Sequence, residues 1–231
     1  MSGSVPMNVT VGEGVRRLPI YLLLDCSGSM NGAPIEAVRR GVEEFVREAR
    51  NDPYARQTVH VGVIVFGSTT AMVTKGLEPI ESFQPPAITA GSTTPLGQAL
   101  RILQESLDRD LKPSVVGGEK GDWKPLVFIL TDGQPTDDWQ TPRAELLARQ
   151  QNKLVNIITV GCGPYIDEAT LKAIAVGPTF RMDAADASFK AFFQWVTQSV
   201  KAVSKAVSQP GAGAAPGQLP NPNPAVIQYV P

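Results

Sequence analysis

A chain of 231 residues, with 42% hydrophobic and 19% charged residues, has an ordinary globular composition and room for one well-packed core. The formal net charge of −1 provides no strong field for nucleic acid or an anionic membrane. No apolar run approaches the ~20 residues that cross a bilayer, and the first ten residues lack a secretory signal. Two cysteines make no disulfide framework, and a single histidine excludes a zinc site built from several histidines. We therefore predict a cytoplasmic protein with reduced thiols.

Strands and helices are predicted to alternate along the chain. Apolar runs indicate strands, and apolar residues spaced by about 3.6 indicate helices that bury one face. The predicted strands cover residues 18–24, 59–66, 126–130, 155–160 and 179–182, and residues 70–77 pair with the second strand as a hairpin across Gly67 and Ser68. The predicted helices cover residues 33–50, which Asn51-Asp52-Pro53 ends, then 96–111, 141–153 with Thr141 as its N-cap, 167–175 and 187–207.

This alternation predicts an α/β fold. Right-handed crossovers give a doubly wound, Rossmann-like and mainly parallel sheet with helices on both faces. The hairpin strand would form one antiparallel edge. We predict one domain over residues 18–208, after a leader over residues 1–17 and before a Pro/Gly-rich tail over residues 209–231 that has no core of its own.

Hydroxyls and carboxylates follow two of the predicted central strands. Asp25, Ser27 and Ser29 come directly after the first strand, and Asp132 follows the strand over residues 126–130. A loop between them offers a hydroxyl from Thr94 or Thr93. Because ligands of open α/β sheets bind at the carboxyl ends of the strands, we expect these side chains to meet there.

Such a set of oxygen donors is chemically suited to a hard divalent cation. With only two formal negative charges among the donors, the cation would keep a net attraction for an outside anion. We expect Mg²⁺, with Mn²⁺ or Ca²⁺ as alternatives, and a carboxylate of a partner protein as the last ligand. The competing interpretation is ordinary turn and helix-capping chemistry, which would explain each residue type taken alone.

The pattern D-x-S-x-S, followed by a distant Thr and a distant Asp, resembles the von Willebrand factor A-type (VWA) domain and its metal-ion-dependent adhesion site. Asp25, Ser27 and Ser29 match the first part, and Asp132 in Thr131-Asp132-Gly133 matches the last. Thr94 matches the middle part, because the sequence Thr94-Pro95-Leu96-Gly97 looks like the family's usual continuation. The resemblance implies these five residues as metal ligands and a role in protein–protein interaction.

A closer resemblance, to the TerY family of A-domain proteins from bacterial tellurite-resistance and stress operons, covers most of the chain. The segments that carry it are residues 17–22, 51–55, 120–126 and 192–196. This resemblance implies a cytoplasmic bacterial scaffold beside a kinase-like protein and a PP2C-type phosphatase.

Two other functions are compatible with parts of this pattern. A metal-dependent phosphohydrolase could use Asp25 as its nucleophile, but such enzymes want a second Asp two residues later, where Ser27 stands. An extracellular adhesin would need an export signal. We therefore predict no enzymatic activity. Asp137 and Asp138 are expected in a solvated loop, with a second cation site as the alternative, and Trp139 is expected to be exposed as an interface anchor near the metal.

Overall fold

The structure is a computed structural model and describes residues 15–67, 73–115, 118, 120–150, 155–209 and 219–231. Its centre is a seven-stranded sheet with the strand order β3-β2-β1-β4-β5-β6-β7. The strands are β1 (Leu18–Asp25), β2 (Val59–Phe66), β3 (Val73–Pro79), β4 (Leu126–Thr131), β5 (Asn156–Cys162), β6 (Thr179–Met182) and β7 (Gln228–Tyr229). The central strands pair in parallel, whereas β3 and β7 form antiparallel edges.

Helices cover both faces of the sheet. They are α1 (Ala33–Asn51), α2 (Pro53–Thr58), α3 (Leu96–Asp110), α4 (Gln140–Gln150), α5 (Glu168–Ile174) and α6 (Asp186–Val207). Helices α1, α2 and α6 contribute to one core cluster, and α3, α4 and α5 contribute to the other. This arrangement confirms the predicted doubly wound α/β fold.

The central strands are buried because they carry apolar residues on both sides. Every residue of β1 is buried, including Asp25 at its end. Leu22 and Leu24 belong to the core under α1 and α6, while Tyr21 and Leu23 point to the opposite core. Because β1 and β4 are parallel neighbours, their carboxyl ends bring Asp25 and Thr131 to the same edge of the sheet.

Two helix starts differ from the sequence-based expectation. Asn51-Asp52-Pro53 ends α1 but also begins α2, since the Asp52 carboxylate accepts the backbone N–H groups of Tyr54 and Ala55. Helix α4 begins at Gln140, and Asp138, not Thr141, accepts its first free N–H groups. Ser68 of the predicted hairpin turn, residues 70–72 of the predicted hairpin strand and residues 151–153 of the third predicted helix lie outside the described residues.

The described part of the tail, residues 219–231, packs against the body of the protein. Strand β7 pairs with β6, and Ile227 and Val230 are buried. The indole Nε1 of Trp195 on α6 donates to the carbonyl oxygen of Pro220 at 2.7 Å. The sheet therefore has a second antiparallel edge strand that periodicity did not predict, because β7 is only two residues long.

At the other end of the chain, the guanidinium of Arg17 donates to both carboxylate oxygens of Asp122, at 2.7 and 2.5 Å.

Among the described residues, no helix is long and apolar enough to cross a membrane.

Candidate metal centre

The first ligand loop turns sharply where β1 ends. A 3-10 turn over Gly28–Met30 follows Ser27, with the N–H of Met30 donating to the Ser27 carbonyl oxygen at 3.0 Å. Met30 is fully buried and fixes the turn to the core under α1. Asp25 and Ser27 are buried, while Ser29 is exposed to solvent. The loop therefore runs from the protein interior to its surface within five residues.

Three of the predicted ligands converge on one point. The hydroxyl oxygens of Ser27 and Ser29 lie 3.2 and 2.9 Å from Oδ1 of Asp132, and 3.1 Å from each other. Asp132 is half-buried and follows β4, the strand next to β1. The structure thus brings together residues more than 100 positions apart in sequence, as the adjacent strand ends predicted.

Asp25 is held rigidly beneath this cluster. Its Oδ1 accepts the N–H of Ser27 at 2.8 Å, and its Oδ2 accepts the Thr131 hydroxyl at 2.5 Å. Burial raises the pKa of the carboxyl to about 6, although the hydrogen bonds from Thr131 and Ser27 oppose the rise. The nearby charge of Asp132 adds to it. A buried carboxylate beside a second carboxylate favours a cation between them.

Thr94 lies beside the Asp132 loop. Its side chain is buried, and its Oγ1 lies 3.4 Å from the position that a Cβ on Gly133 would occupy. Thr93 is half-buried, and its backbone N–H donates to the carbonyl oxygen of Gly67 at 3.1 Å. The placement next to Asp132 favours Thr94 over Thr93 as the hydroxyl donor.

Gly67, at the end of β2, connects the ligand loop that follows β1 with the loop that carries Thr94. Its carbonyl oxygen accepts the N–H of Ser92 at 2.6 Å, and the N–H of Gly91 donates to the Cys26 carbonyl oxygen at 2.6 Å. A Cβ at Gly67, where φ is +152°, would lie 2.3 Å from the carbonyl carbon of Cys26. Only glycine permits this approach, whereas the sequence pattern indicated only a hairpin turn at Gly67.

The donor set fits a hard divalent cation. It consists of two carboxylates and three hydroxyls, which are the oxygen ligands that Mg²⁺ and Mn²⁺ favour. Within the described part of the chain there is no cluster of three or more His, Cys, Asp or Glu side chains, so a site rich in sulfur, nitrogen or carboxylate is not formed. Cys26 and Cys162 are buried, free thiols, and burial raises the pKa of both.

Residues after Asp132 differ from their expected role. Asp137 is not a free loop residue, because its carboxylate accepts the N–H groups of Gly97 and Gln98 on α3. Trp139, expected to be an exposed anchor, is half-buried against the core between the sheet and α3. The exposed aromatic side chain on the loop after β5 is Tyr165, at 77% exposure. No periodic signal distinguishes these loop contacts in the sequence.

The family model of the von Willebrand factor type A domain matches residues 20–195 of this chain. The match covers all but the first two residues of β1, all of β2 to β6, and the whole ligand cluster described above. The chain therefore belongs to the von Willebrand factor type A domain family. A comparison with curated protein sequences found no match.

Several solved structures share the fold. The ArnB paralog VWA2 of Sulfolobus acidocaldarius is 18% identical with a TM-score of 0.55, over 80% of this chain and 46% of that one. A von Willebrand factor type A protein of Catenulispora acidiphila is 15% identical with a TM-score of 0.59, over 81% and 43%. Proximal thread matrix protein 1 of the mussel byssus, with a zinc-occupied MIDAS motif, is 19% identical with a TM-score of 0.57, over 80% and 48%.

This chain thus spans less than half the length of each of these three structures. At such low sequence identity, the likeness to these structures concerns the fold alone. The metal named for the mussel protein is a property of that protein.

Proposed function

We propose that this chain is a metal-dependent protein-binding module and not an enzyme. Asp25, Ser27, Ser29, Thr94 and Asp132 hold a divalent cation, and a carboxylate from a partner protein completes its coordination. The observation that carries the proposal is the convergence of the Ser27 and Ser29 hydroxyls on Oδ1 of Asp132, within 3.2 Å. Three oxygen atoms from two loops surround one point at the carboxyl ends of β1 and β4.

Electrostatics explains why such a site would attract a partner acid. Two carboxylates only balance the charge of a divalent cation, and three neutral hydroxyls add no further negative charge. A cation in this setting remains strongly attracted to an additional hard anion. Ser29 is exposed and Asp132 is half-buried, so one side of the site opens to solvent while Asp25 and Ser27 close the other.

Mg²⁺ is the cation we propose, with Mn²⁺ as the substitute of closest chemistry. Both accept six oxygen ligands, and five side chains with one outside carboxylate or water can supply them. Ca²⁺ takes six to eight ligands at longer distances and would need more water. Zinc occupies the MIDAS motif of the mussel protein, but its usual preference is for nitrogen and sulfur ligands, which the five side chains of this site do not supply.

Membership of the family supports an interaction function, since its domains mediate protein–protein interactions. The pilus adhesin SpaC of Lactobacillus rhamnosus GG is one structural relative, at 16% identity and a TM-score of 0.63. We further propose a cytoplasmic bacterial setting in tellurite resistance or stress response, with a kinase-like protein and a PP2C-type phosphatase as partners. The resemblance of residues 17–22, 51–55, 120–126 and 192–196 to the TerY family supports this part.

Catalysis by Asp25 is disfavoured on geometric grounds. Both of its carboxylate oxygens already accept hydrogen bonds, and its side chain is fully buried. A nucleophile needs an open approach to the substrate. The second acid of a phosphohydrolase would stand where this chain has Ser27. A phosphate-ester turnover assay with Mg²⁺ should therefore show no activity above the rate of the Asp132→Ala variant.

The test of metal binding is calorimetric titration with Mg²⁺ and Mn²⁺. Saturable binding to the wild type that is lost in Asp132→Ala supports the proposal. The matched control is Glu145→Gln, which neutralises an exposed carboxylate on α4 and should bind like the wild type. Absence of saturable binding by the wild type would overturn the metal-dependent mechanism. A pull-down of bacterial proteins with Mg²⁺, compared with the same pull-down in EDTA, then identifies partners that need the cation.

A further inference from the structure

The second ligand loop, which carries Thr94, and the third ligand loop, which carries Asp132, are joined by a reciprocal pair of hydrogen bonds. The backbone N–H of Thr94 donates to the hydroxyl oxygen of Thr136 at 3.1 Å, and the N–H of Thr136 donates to the carbonyl oxygen of Thr94 at 2.9 Å. Thr94 is a proposed metal ligand, whereas Thr136 lies four residues after Asp132 and is exposed. The pair fixes the backbone of one ligand directly to the loop that carries another.

Asp137 extends this connection to α3. Its Oδ1 accepts the N–H of Gly97 at 2.9 Å, and its Oδ2 accepts the N–H of Gln98 at 2.8 Å. Helix α3 begins at Leu96, and its own N-cap residue, Pro95, makes no capping hydrogen bond through its side chain. The negative charge that stabilises the start of α3 is therefore supplied from the third ligand loop.

The two segments touch so closely that one position requires glycine. A Cβ on Gly97 would lie 2.0 Å from the carbonyl oxygen of Asp138 and 2.6 Å from its carbonyl carbon. Both atoms belong to the backbone and cannot move aside as a flexible side chain does. The start of α3 thus rests directly on the Asp132 loop, just after the Thr94 ligand.

This bridge differs from the other aspartate caps of the protein. Asp52 and Asp167 accept N–H groups two and three residues further along, at the start of the helices they precede. Asp137 instead accepts N–H groups from residues 40 and 39 positions earlier. A local cap orders one helix, but a cap between loops also fixes the distance between the ligands on either side.

We propose that Thr136 and Asp137 are positioning residues of the metal site. Neither contacts the cation; they hold Thr94 and Asp132 at a fixed separation through the first turn of α3, and so set the affinity for the metal. The inference rests on the proposed function above. By reciprocity, a bound cation that draws Thr94 and Asp132 together stabilises the first turn of α3.

The experiment compares variants that each change one side chain of the bridge or of a local helix cap. Thr136→Val removes the hydroxyl at nearly constant volume, and Thr136→Ser keeps it. Asp137→Ala removes the bridging carboxylate, and Asp167→Ala removes a carboxylate that caps α5 in the ordinary local way. Calorimetric titration of the full chain with Mg²⁺ and with Mn²⁺ gives the dissociation constants, and thermal unfolding in EDTA gives the loss of stability for each variant.

We expect the dissociation constant to rise about tenfold or more for Thr136→Val and Asp137→Ala, the usual range for residues that orient metal ligands. It should stay within about twofold of the wild type for Thr136→Ser and Asp167→Ala, even where Asp167→Ala unfolds at a lower temperature. A second readout is hydrogen exchange of the Gly97 and Gln98 amides. Mg²⁺ should slow exchange there in the wild type and have a smaller effect in Thr136→Val.

The outcomes separate this inference from the proposed function. If the wild type binds the cation and Thr136→Val and Asp137→Ala bind it equally well, the positioning role is wrong while the metal site stands. If affinity follows thermal stability alone, so that Asp167→Ala weakens binding as much as Asp137→Ala, the bridge has only a structural role and the inference is again overturned. A wild type without metal binding removes the proposed function itself.

Discussion

Asp25→Asn should make the metal-free protein more stable while it abolishes cation binding. The ordinary pKa of the aspartate side chain is 3.8, and burial raises that of Asp25 to about 6. Each pKa unit corresponds to about 1.4 kcal/mol, so the buried charge costs the folded state about 3 kcal/mol at pH 7. Asparagine removes the charge but leaves one of the two hydrogen bonds imperfect, at about 1 kcal/mol. We expect a net gain of about 1–2 kcal/mol.

The sign with pH follows from the direction of the shift. A carboxyl whose folded-state pKa is raised destabilises the fold above that pKa, and the penalty is lost as the pH falls toward 3.8. Between pH 7 and pH 5 the wild type should therefore gain about 1.3 kcal/mol relative to Asp25→Asn. His60, whose pKa burial lowers, is present in both proteins, so any contribution from it cancels in the comparison.

The assay is urea denaturation at pH 7 and pH 5 in the presence of EDTA, with Glu145→Gln as the charge-matched control. An Asp25→Asn protein that is less stable than the wild type at pH 7, and whose stability depends on pH in the same way, would refute the conclusion that the buried Asp25 charge destabilises the fold. With Mg²⁺ present the order should reverse, because only the wild type gains stability from binding.

Three further predictions concern the loops, the tail and the thiols. Gly67→Ala should lower the free energy of unfolding by about 2 kcal/mol or more and weaken Mg²⁺ binding, because the added Cβ would overlap the Cys26 backbone. Urea denaturation and calorimetry measure the two effects, and unchanged values would contradict the close approach. Ile227→Ala should cost about 2–4 kcal/mol in urea denaturation, whereas a tail that merely touches the surface would lose under about 0.5 kcal/mol. Cys26 and Cys162 should resist a thiol reagent such as DTNB in the folded protein and react in urea, because both thiols are buried and have raised pKa values. Rapid labelling of the native protein would contradict this prediction.

The fold was predictable where burial on both sides leaves a strong signal in the sequence. The apolar runs of β1 and β4 identify central parallel strands, and their order along the chain places Asp25 and Asp132 at neighbouring ends. Strand β7 gave no such signal, because two residues cannot show an alternation. The start of α2 was missed because Asp52 and Pro53 both end one helix and begin the next.

The composition of the site was predictable, but the contacts that hold it were not. Residue types and spacing suggested Ser27, Ser29 and Asp132 as neighbours, and the structure places their oxygens within 3.2 Å. The bridge from Asp137 to α3 depends on backbone N–H groups, which every residue except proline possesses. A sequence therefore cannot show which N–H groups a loop aspartate will reach once distant segments are packed together.

The pairing of β7 with β6 also has a consequence for how the chain is made. Residues 219–231 are synthesised after every other strand of the described sheet. Until they emerge, one edge of β6 has no strand paired with it. An open strand edge is a site for pairing with other chains. Nonsense or frameshift products that stop after α6 would retain the VWA-matched region and the candidate metal ligands. They would nonetheless expose Phe180 and Trp195, which contact each other beneath the tail, and should accumulate in aggregates.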